Sequence, residues 1–295
     1  MEVGYVDGVA GPDVGDNVAF SDLPPEEKAR RAGSFGAVAG DYERFRPGPS
    51  LDAVEWILPP HAARVVDLGA GTGALSRVLA GRVGEVVAVE PDDRMRSVLT
   101  GALPGVRAVA GRGESMPLPD GWADAVVAST SWHWMDVVPT LHEVRRVLVP
   151  GGVLGALWTG PDRDGAFLVE ARKLLTARSS GADTAGDGVG GSERSELAGF
   201  MAGDGDRPMP TLEIPEGVAF EQPDHRVFTW DIALDADELV GLLGTFSWII
   251  TLPDDARRRV VDEARRLLRD LLGVEGDVTV DVAFRSDAWR TRRDG

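Results

Sequence analysis

The sequence has no cysteine and almost no lysine. Without cysteine, the chain has no disulfide, no thiolate nucleophile and no cysteine-ligated metal. Its four histidines fall in no metal-ligand spacing, so we expect no metal cofactor. Lys28 and Lys173 are the two lysines, and arginine supplies the rest of the 31 basic side chains. This preference for arginine, together with abundant Ala, Gly and Val, is typical of a high-GC bacterial source.

The sequence also lacks long apolar runs and an excess of positive charge. No run approaches the roughly 18 apolar residues that cross a bilayer. Residues 1–20 lack the basic and apolar parts of a signal peptide, which favours a cytoplasmic location. A net charge of -17 repels phosphate backbones and anionic membranes. We therefore expect a small-molecule substrate rather than a nucleic-acid or membrane partner. The sequence leaves the oligomeric state open.

What the sequence does contain is a series of short apolar strands alternating with helices. The predicted strands cover residues 64–68, 85–89, 106–110, 123–128 and 152–158. Such alternation predicts an α/β fold with a doubly wound, mostly parallel sheet that has helices on both faces. Later segments predict strands at 227–232 and 278–284 and helices at 235–246 and 254–272.

Composition divides the chain into five regions. The predicted division is a flexible tail (1–24), an N-terminal helical cap (25–60), a cofactor-binding core (61–160), a substrate-cap or insertion region (161–250) and a C-terminal helix and strand that complete the sheet (251–295). Within the insertion region, residues 179–210 are rich in Gly, Asp and Ser, which predicts a flexible lid.

A glycine-rich loop follows the first predicted strand. From Asp67 to Gly73 it reads Asp-Leu-Gly-Ala-Gly-Thr-Gly, and a helix follows. Glycines let a backbone turn tightly and approach a ligand, and the helix behind them presents free N–H groups. The same glycines also fit the G-x-G-x-x-G/A pattern of dinucleotide sites, and the acid Glu90 after strand two suits the ribose in either case. The loop alone therefore leaves a nicotinamide or flavin enzyme open.

Three further features favour a different cofactor. Asp67, two residues before the first glycine, suits the ammonium of an amino acid better than a pyrophosphate. Glu114, after strand three, suits an adenine amino group. A turn at 148–152 precedes strand five. Together these features resemble the class I S-adenosylmethionine-dependent methyltransferases, especially their methyltransferase type 11 branch of small-molecule enzymes. The segment from Tyr42 to Pro47 is similar to the Y-x-x-x-R-P segment of that branch, and the likeness extends over residues 35 to about 290, apart from the Gly-rich insertion.

The resemblance implies a seven-stranded Rossmann-like sheet whose last strand is antiparallel, with S-adenosylmethionine as cofactor. It implies a cofactor site made of Tyr42, Arg46, Asp67, Gly69, Ala70, Gly71, Thr72, Gly73, Glu90, Pro91, Asp92, Met95, Gly113, Glu114 and Ser129. A loop after strand four lies at the predicted mouth of the site. Its candidate substrate-binding residues are Trp132, His133 and Trp134, and His133 is also the candidate general base.

The predicted reaction is in-line methyl transfer to an oxygen, nitrogen or carbon of a small organic molecule. The protein then mainly orients the reactants, and no covalent nucleophile is needed. An alternative is an enzyme of the same fold that binds the cofactor and catalyses a non-methylating step, such as a cyclisation or elimination. A dinucleotide-dependent oxidoreductase and a non-enzymatic scaffold are further alternatives.

Overall fold

A computed structural model describes residue 36 and residues 39–171, 173, 209–250, 252–272 and 278–294. The predicted tail (1–24) and almost all of the predicted lid (179–210) lie outside these residues. The described helices are α1 (Ala39–Phe45), α2 (Leu51–Ile57), α3 (Ala74–Leu79), α4 (Asp93–Ala102), α5 (Val137–Val147), α6 (Ala236–Leu243), α7 (Ser247–Ile250) and α8 (Asp254–Leu272).

Within the described residues, seven strands form one sheet in the order β3-β2-β1-β4-β5-β7-β6. The strands are β1 (Arg64–Leu68), β2 (Glu85–Val89), β3 (Arg107–Val109), β4 (Ala123–Ser129), β5 (Leu148–Pro161), β6 (Asp224–Leu234) and β7 (Val280–Arg292). Strand β7 runs antiparallel to both of its neighbours, and the pairs among β1 to β5 are parallel. The predicted fold is therefore confirmed, including the antiparallel last strand.

Apolar side chains fill both faces of the sheet. Val65 and Val66, neighbours on β1, are fully buried in two different core clusters. One cluster lies under α5, and the other lies under α2, α3 and α4. Strands buried on both faces need continuous apolar runs, which is why β1, β2 and β4 are recognisable in the sequence. Full burial of each such side chain contributes about 1.5–3 kcal/mol.

Strand β5 differs from the prediction at its start. The segment 148–152 was expected to be a turn, but Leu148 already pairs with Ala123 of β4 and Val153 pairs with Ala125. Three more residues therefore lie between the paired positions on β5 than on β4, and the strand bulges there. Gly151 has φ +74, a conformation that side chains rarely adopt, so it permits the bulge. The turn prediction was wrong because the glycines bend a strand that continues.

The C-terminal half of the sheet extends beyond the predicted segments. Strand β7 continues to Arg292, where a strand ending at Phe284 was predicted. Strand β6 lies inside the predicted cap region, so the sheet is not confined to the predicted core and the C-terminal segment. The five-region division otherwise stays a prediction. Among the described helices, none combines the length and apolar character that crossing a bilayer requires.

Candidate cofactor site

The glycine loop, Glu90 and the loop after β4 meet at the carboxyl edge of the sheet. Strand β1 lies between β2 and β4, so the order in which strands are added to the sheet reverses at β1. In open α/β sheets, ligands bind at this switch point. The structure thus brings the predicted residues at the ends of β1, β2 and β4 to one edge.

The glycine loop lies directly against β2 and the loop after β4. The N–H of Gly69 donates to the Val89 carbonyl at 2.8 Å. Gly69 has φ +68, and a Cβ there would lie 2.6 Å from the Cβ of Ser131, so only glycine fits. Gly71 has φ +56, but a Cβ there would meet no atom within 4 Å. The loop is therefore closed by packing at Gly69 and open at Gly71.

Glu90 connects the loop to the start of α4. Its Oε2 accepts a hydrogen bond from the N–H of Gly71 at 2.9 Å, and its Oε1 accepts one from the N–H of Asp92 at 2.9 Å. The carboxyl is buried, and this burial raises its pKa despite the two hydrogen bonds. Each oxygen has a further lone pair, so the group retains capacity for a ligand hydroxyl.

Asp67 lies beneath the loop, at 1% exposure. Its Oδ2 accepts a hydrogen bond from the Ser76 hydroxyl of α3 at 2.6 Å, whereas its Oδ1 is buried without a described hydrogen-bond partner. Burial raises the pKa of Asp67 to about 7; the Ser76 hydrogen bonds oppose the rise, and the Glu90 carboxylate adds to it. A second buried oxygen without a described partner, Thr72 Oγ1, lies in the loop itself.

The residues after Glu90 form the start of α4. Asp92 is the N-cap, and its Oδ1 accepts from the N–H of Arg94 at 2.8 Å. The Arg94 guanidinium also pairs with this carboxylate and lowers the pKa of Asp92. Met95 is buried, and the carbonyl of Pro91 accepts a hydrogen bond from Arg96. These contacts fix the backbone beside Glu90.

The loop after β3 has a structural role that the sequence did not indicate. Glu114 Oε1 accepts a hydrogen bond from the N–H of Asp136, the N-cap of α5, at 2.9 Å. A Cβ on Gly113 would lie 2.7 Å from the Met135 sulfur, so this loop packs tightly against the segment before α5. Glu114 therefore connects the two loops that follow β3 and β4, whether or not it also contacts adenine.

The loop after β4 is held in place by two residues that were not singled out from the sequence. The Ser131 hydroxyl donates to the Leu68 carbonyl at the end of β1 at 2.6 Å. Thr130 has φ +54, and its N–H donates to the Leu157 carbonyl of β5 at 2.7 Å. Positive φ is uncommon for a threonine and marks a constrained turn. Ser129, the last residue of β4, is half-buried beside this turn.

The three predicted substrate-binding residues of this loop have different surroundings. Trp132 is 3% exposed and belongs to the core cluster under α5, so the structure gives it a packing role. His133 and Trp134 are half-buried, and their rings lie 5.0 Å apart. His133 Nδ1 accepts a hydrogen bond from the indole N–H of Trp158 on β5 at 3.0 Å. Trp158 was not predicted as a site residue because it reads as an ordinary strand residue.

The N-terminal segment docks beside α3. The Arg46 guanidinium lies over the Phe246 ring at 4.8 Å, and the Tyr42 side chain is outside the described residues. A Cβ on Gly48 would lie 3.2 Å from the Ala74 carbonyl in the first turn of α3. The segment thus reaches the helix that follows the glycine loop. Within the described ranges, no three His, Asp or Glu side chains form a group that could hold a metal ion.

Comparisons with known proteins agree with this geometry. A family model described as a methyltransferase domain matches residues 66–156. A relative from Mycobacterium tuberculosis, described as an uncharacterised methyltransferase, is 37% identical over 235 residues, which cover 80% of this chain and 85% of the relative. A methyltransferase-like protein of Schizosaccharomyces pombe is 25% identical over 266 residues, which cover 88% and 96% of the two chains.

One solved structure, described as a type II methyltransferase from Anaeromyxobacter dehalogenans, matches with a TM-score of 0.53 at 22% identity. The match covers 84% of this chain and 98% of that chain, and it supports the fold. The relatives that match over most of both chains, the family model and the fold thus agree with the sequence motifs. The chain belongs to the class I S-adenosylmethionine-dependent methyltransferases, in their type 11 branch, and S-adenosylmethionine is its cofactor.

Proposed function

We propose that this methyltransferase binds S-adenosylmethionine between the glycine loop and Glu90 and methylates a small organic acceptor at the loop after β4. The observation that carries the proposed binding mode is the pair of buried oxygens without described partners, Asp67 Oδ1 and Thr72 Oγ1. Buried polar atoms are rarely left without a hydrogen bond. A ligand that brings hydrogen-bond donors to this position accounts for both atoms.

The amino-acid part of the cofactor fits these two oxygens. An ammonium donates hydrogen bonds, and a carboxylate that lacks one partner is a suitable acceptor. Because a Cβ at Gly71 would enter open space, the backbone there leaves room for a ligand to approach closely. The other residues proposed for this part of the site are Gly69, Ala70, Gly73 and Ser129, with Tyr42 and Arg46 from the N-terminal segment.

The adenosyl part is assigned to the residues after β2 and β3. Glu90 is the proposed acceptor for the ribose hydroxyls because its carboxyl is fixed by two backbone N–H groups at the switch point. The proposed lining of the adenosine pocket is Pro91, Asp92, Met95, Gly113 and Glu114. Buried Met95 supplies an apolar surface for the adenine, and the N-cap of α4 keeps the backbone beside it fixed.

Bound S-adenosylmethionine supplies an electrophilic methyl group on a sulfonium. The protein contributes mainly by holding the acceptor in line with that methyl group, since no covalent protein intermediate is required. We assign acceptor contacts to His133 and Trp134, which lie half-buried at the mouth of the site. Trp132 is left out of this assignment because it is buried in the core.

A small organic acceptor is supported by the charge of the chain, and two partial relatives are named for methylation of small organic groups, one of them a malonyl group carried by a protein. The net charge of -17 disfavours a nucleic-acid substrate. A malonyl-[acyl-carrier protein] O-methyltransferase from Methylococcus capsulatus is 34% identical over 154 residues, which cover 48% of this chain and 54% of that protein. A ubiquinone/menaquinone biosynthesis C-methyltransferase from Hydrogenovibrio crunogenus is 32% identical over 158 residues. Oxygen and carbon acceptors both occur among these names.

The binding mode is tested by calorimetric titration of S-adenosylmethionine into matched glycine variants. Gly71→Ala and Gly121→Ala both place a Cβ at positive φ, +56 and +59, and neither Cβ meets an atom within 4 Å. Both variants therefore carry the same backbone cost of about 1 kcal/mol. We expect Gly71→Ala to lose cofactor affinity and Gly121→Ala, which lies before β4, to retain it. Equal affinities of the two variants would refute the proposed site.

Methyl transfer to a small acceptor is tested with cell extract depleted of macromolecules, methyl-labelled S-adenosylmethionine and mass spectrometry. We expect at least one product heavier by one methylene that carries the label. Consumption of an extract component without any labelled product would instead favour the non-methylating alternative. Label recovered only in added nucleic acid or protein would contradict a small acceptor.

A further inference from the structure

The hydrogen bond between Trp158 and His133 restricts what the histidine can do. An indole N–H is a donor only, so His133 Nδ1, 3.0 Å away, must be the acceptor. An imidazole that accepts at Nδ1 carries its single proton on Nε2 and is neutral. Protonation at Nδ1 would place two donors against each other, so the bond persists only while the ring is uncharged.

This constraint acts at the mouth of the proposed site. His133 is two residues from Ser131, whose hydroxyl bonds the carbonyl at the end of β1 and whose side chain fills the space above Gly69. Trp158 is 4% exposed and belongs to the core cluster under α5, so its indole is held in one position. The constrained turn at Thr130 fixes the backbone between β4 and His133. The hydrogen bond to Trp158 therefore holds the histidine ring in one orientation, in the loop whose Ser131 packs against Gly69.

We propose that Trp158 is a positioning residue that keeps His133 neutral, with its proton on Nε2, so that His133 does not remove a proton from the methyl acceptor. The lone pair that a general base needs lies on Nδ1, and Trp158 occupies it. The acceptor then has to arrive with its own nucleophilic lone pair. This inference rests on the proposed function, which places His133 in the acceptor site, and it replaces the sequence-based expectation of a histidine base.

A carboxylate, whose ordinary pKa lies far below 7, meets this requirement at neutral pH, and it is the acceptor class that we assign. A carboxylate oxygen forms the new O–CH₃ bond with its own lone pair. The S–CH₃ bond breaks with its electron pair going to sulfur, which leaves a neutral thioether. No proton remains to be removed, so a neutral His133 suffices. An alcohol, by contrast, would have to lose a proton during the transfer.

The tautomer of His133 is measured by two-bond ¹H–¹⁵N correlation spectra of the ¹⁵N-labelled full chain. The sequence has four histidines, so the ring signals are few, and His133→Gln assigns the signal of interest. Trp158→Phe removes the indole N–H but keeps an aromatic ring. The matched control is Trp289→Phe, because the Trp289 Nε1 atom is buried without a described hydrogen-bond partner and its ring stacks on His225 instead.

We expect wild-type His133 to be a neutral ring with its proton on Nε2 between pH 6 and 8. Trp158→Phe should abolish this state and give a mixture of tautomers or a ring that titrates, whereas Trp289→Phe should leave His133 unchanged. A wild-type imidazolium at pH 7, a proton on Nδ1, or a His133 signal that does not respond to Trp158→Phe would overturn the proposal. The wild-type spectrum decides the point even where Trp158→Phe does not fold.

The spectra need no cofactor, so they separate this inference from the proposed binding mode, which fails if Gly71→Ala and Gly121→Ala bind S-adenosylmethionine equally. The acceptor class has its own readout. Labelled products from the extract experiment are treated with mild alkali, which hydrolyses methyl esters but not methyl ethers, methylamines or C-methyl groups. Release of the label as methanol supports a carboxylate acceptor, and label that resists alkali contradicts it.

Discussion

Proton release from Asp67 should accompany cofactor binding. In the free protein, burial raises the pKa of this carboxyl to about 7, and its Oδ1 has no described hydrogen-bond partner. A cofactor ammonium at Oδ1 would favour the ionised form, so the pKa falls when the cofactor binds. At pH 7 about half of the free molecules carry the proton, so binding there should release about half a proton per cofactor.

The same pKa sets the pH dependence of affinity. Only the ionised carboxylate is competent in this scheme, and its fraction is about 0.9 at pH 8 and about 0.1 at pH 6. The dissociation constant for S-adenosylmethionine should therefore rise about tenfold between pH 8 and pH 6. Asp67→Asn cannot ionise, so its dissociation constant should not show this rise at acid pH, the acid limb of the affinity. At pH 8 its affinity should be lower by about 10- to 100-fold, because a charge-assisted hydrogen bond is missing.

Stability should change in the opposite direction. An Asp67 pKa of about 7 in the folded chain, against 3.8 for the unfolded one, means that folding binds a proton between these values. Its contribution to the free energy of unfolding is therefore full below pH 3.8 and is lost as the pH rises through about 7. The loss is on the order of 4 kcal/mol. Asp67→Asn should then bind the cofactor less tightly but unfold at higher urea concentration at pH 8.

Calorimetry in two buffers with different ionisation enthalpies measures the proton release directly. The difference in apparent binding enthalpy at pH 7 gives the number of protons exchanged, and repeating the titration with Asp67→Asn isolates this carboxyl. An unchanged proton count in the variant would refute the reasoning. So would an Asn variant that binds S-adenosylmethionine as tightly as the wild type at pH 8.

Three further variants test the Ser76 hydrogen bond, the Glu90 hydrogen bonds and the ion pair between Arg285 and Asp287. Ser76→Ala removes the hydroxyl hydrogen bond that lowers the Asp67 pKa, so the acid limb of cofactor affinity should move to higher pH in the same titrations. Glu90→Gln has one acceptor oxygen for two backbone N–H groups, so cofactor affinity should fall about tenfold in calorimetry. Arg285→Ala leaves the buried Asp287 carboxylate without its bidentate partner, and the free energy of unfolding in urea should fall by about 3 kcal/mol.

Each of these outcomes has a control. Ser76→Thr keeps the hydroxyl, so the pH dependence should return towards that of the wild type. Glu90→Asp keeps the charge and both oxygens but shortens the side chain. It therefore separates the effect of the lost charge from the effect of side-chain length. The exposed pair between Arg259 and Asp255 is the control for Arg285, and Arg259→Ala should leave the free energy of unfolding nearly unchanged. Equal losses at the two arginines would contradict the role given to burial.

The sequence was sufficient to predict the fold and the grouping of the candidate site residues at one edge of the sheet, because both depend on local patterns. Apolar runs marked the strands, and in a parallel sheet the carboxyl ends of β1, β2 and β4 must share one edge. Asp67 lies in the last part of β1, and the glycine loop and Glu90 come directly after strand ends. Their proximity in the structure is the consequence of topology, and no side-chain detail was needed to expect it.

Contacts between residues far apart in the sequence could not be predicted from local patterns. Ser131 bonds the carbonyl of Leu68, 63 residues away, and neither residue type signals the pair. Trp158 reads as part of a buried strand, and its hydrogen bond to His133 depends on how β5 packs under the loop. The sequence predicts Trp132 at the mouth of the site, beside His133 and Trp134. Residues Trp132–Trp134 form a short 3-10 helix, and the Trp132 side chain is buried in the core.

A crystal structure of the protein with S-adenosylhomocysteine, the product form of the cofactor, tests the central claim most directly. We expect the amino group of the ligand within hydrogen-bond distance of Asp67 Oδ1 and its ribose hydroxyls at Glu90, with Gly71 against the ligand. A ligand bound elsewhere, or one bound here with Asp67 Oδ1 still lacking a partner, would contradict the account.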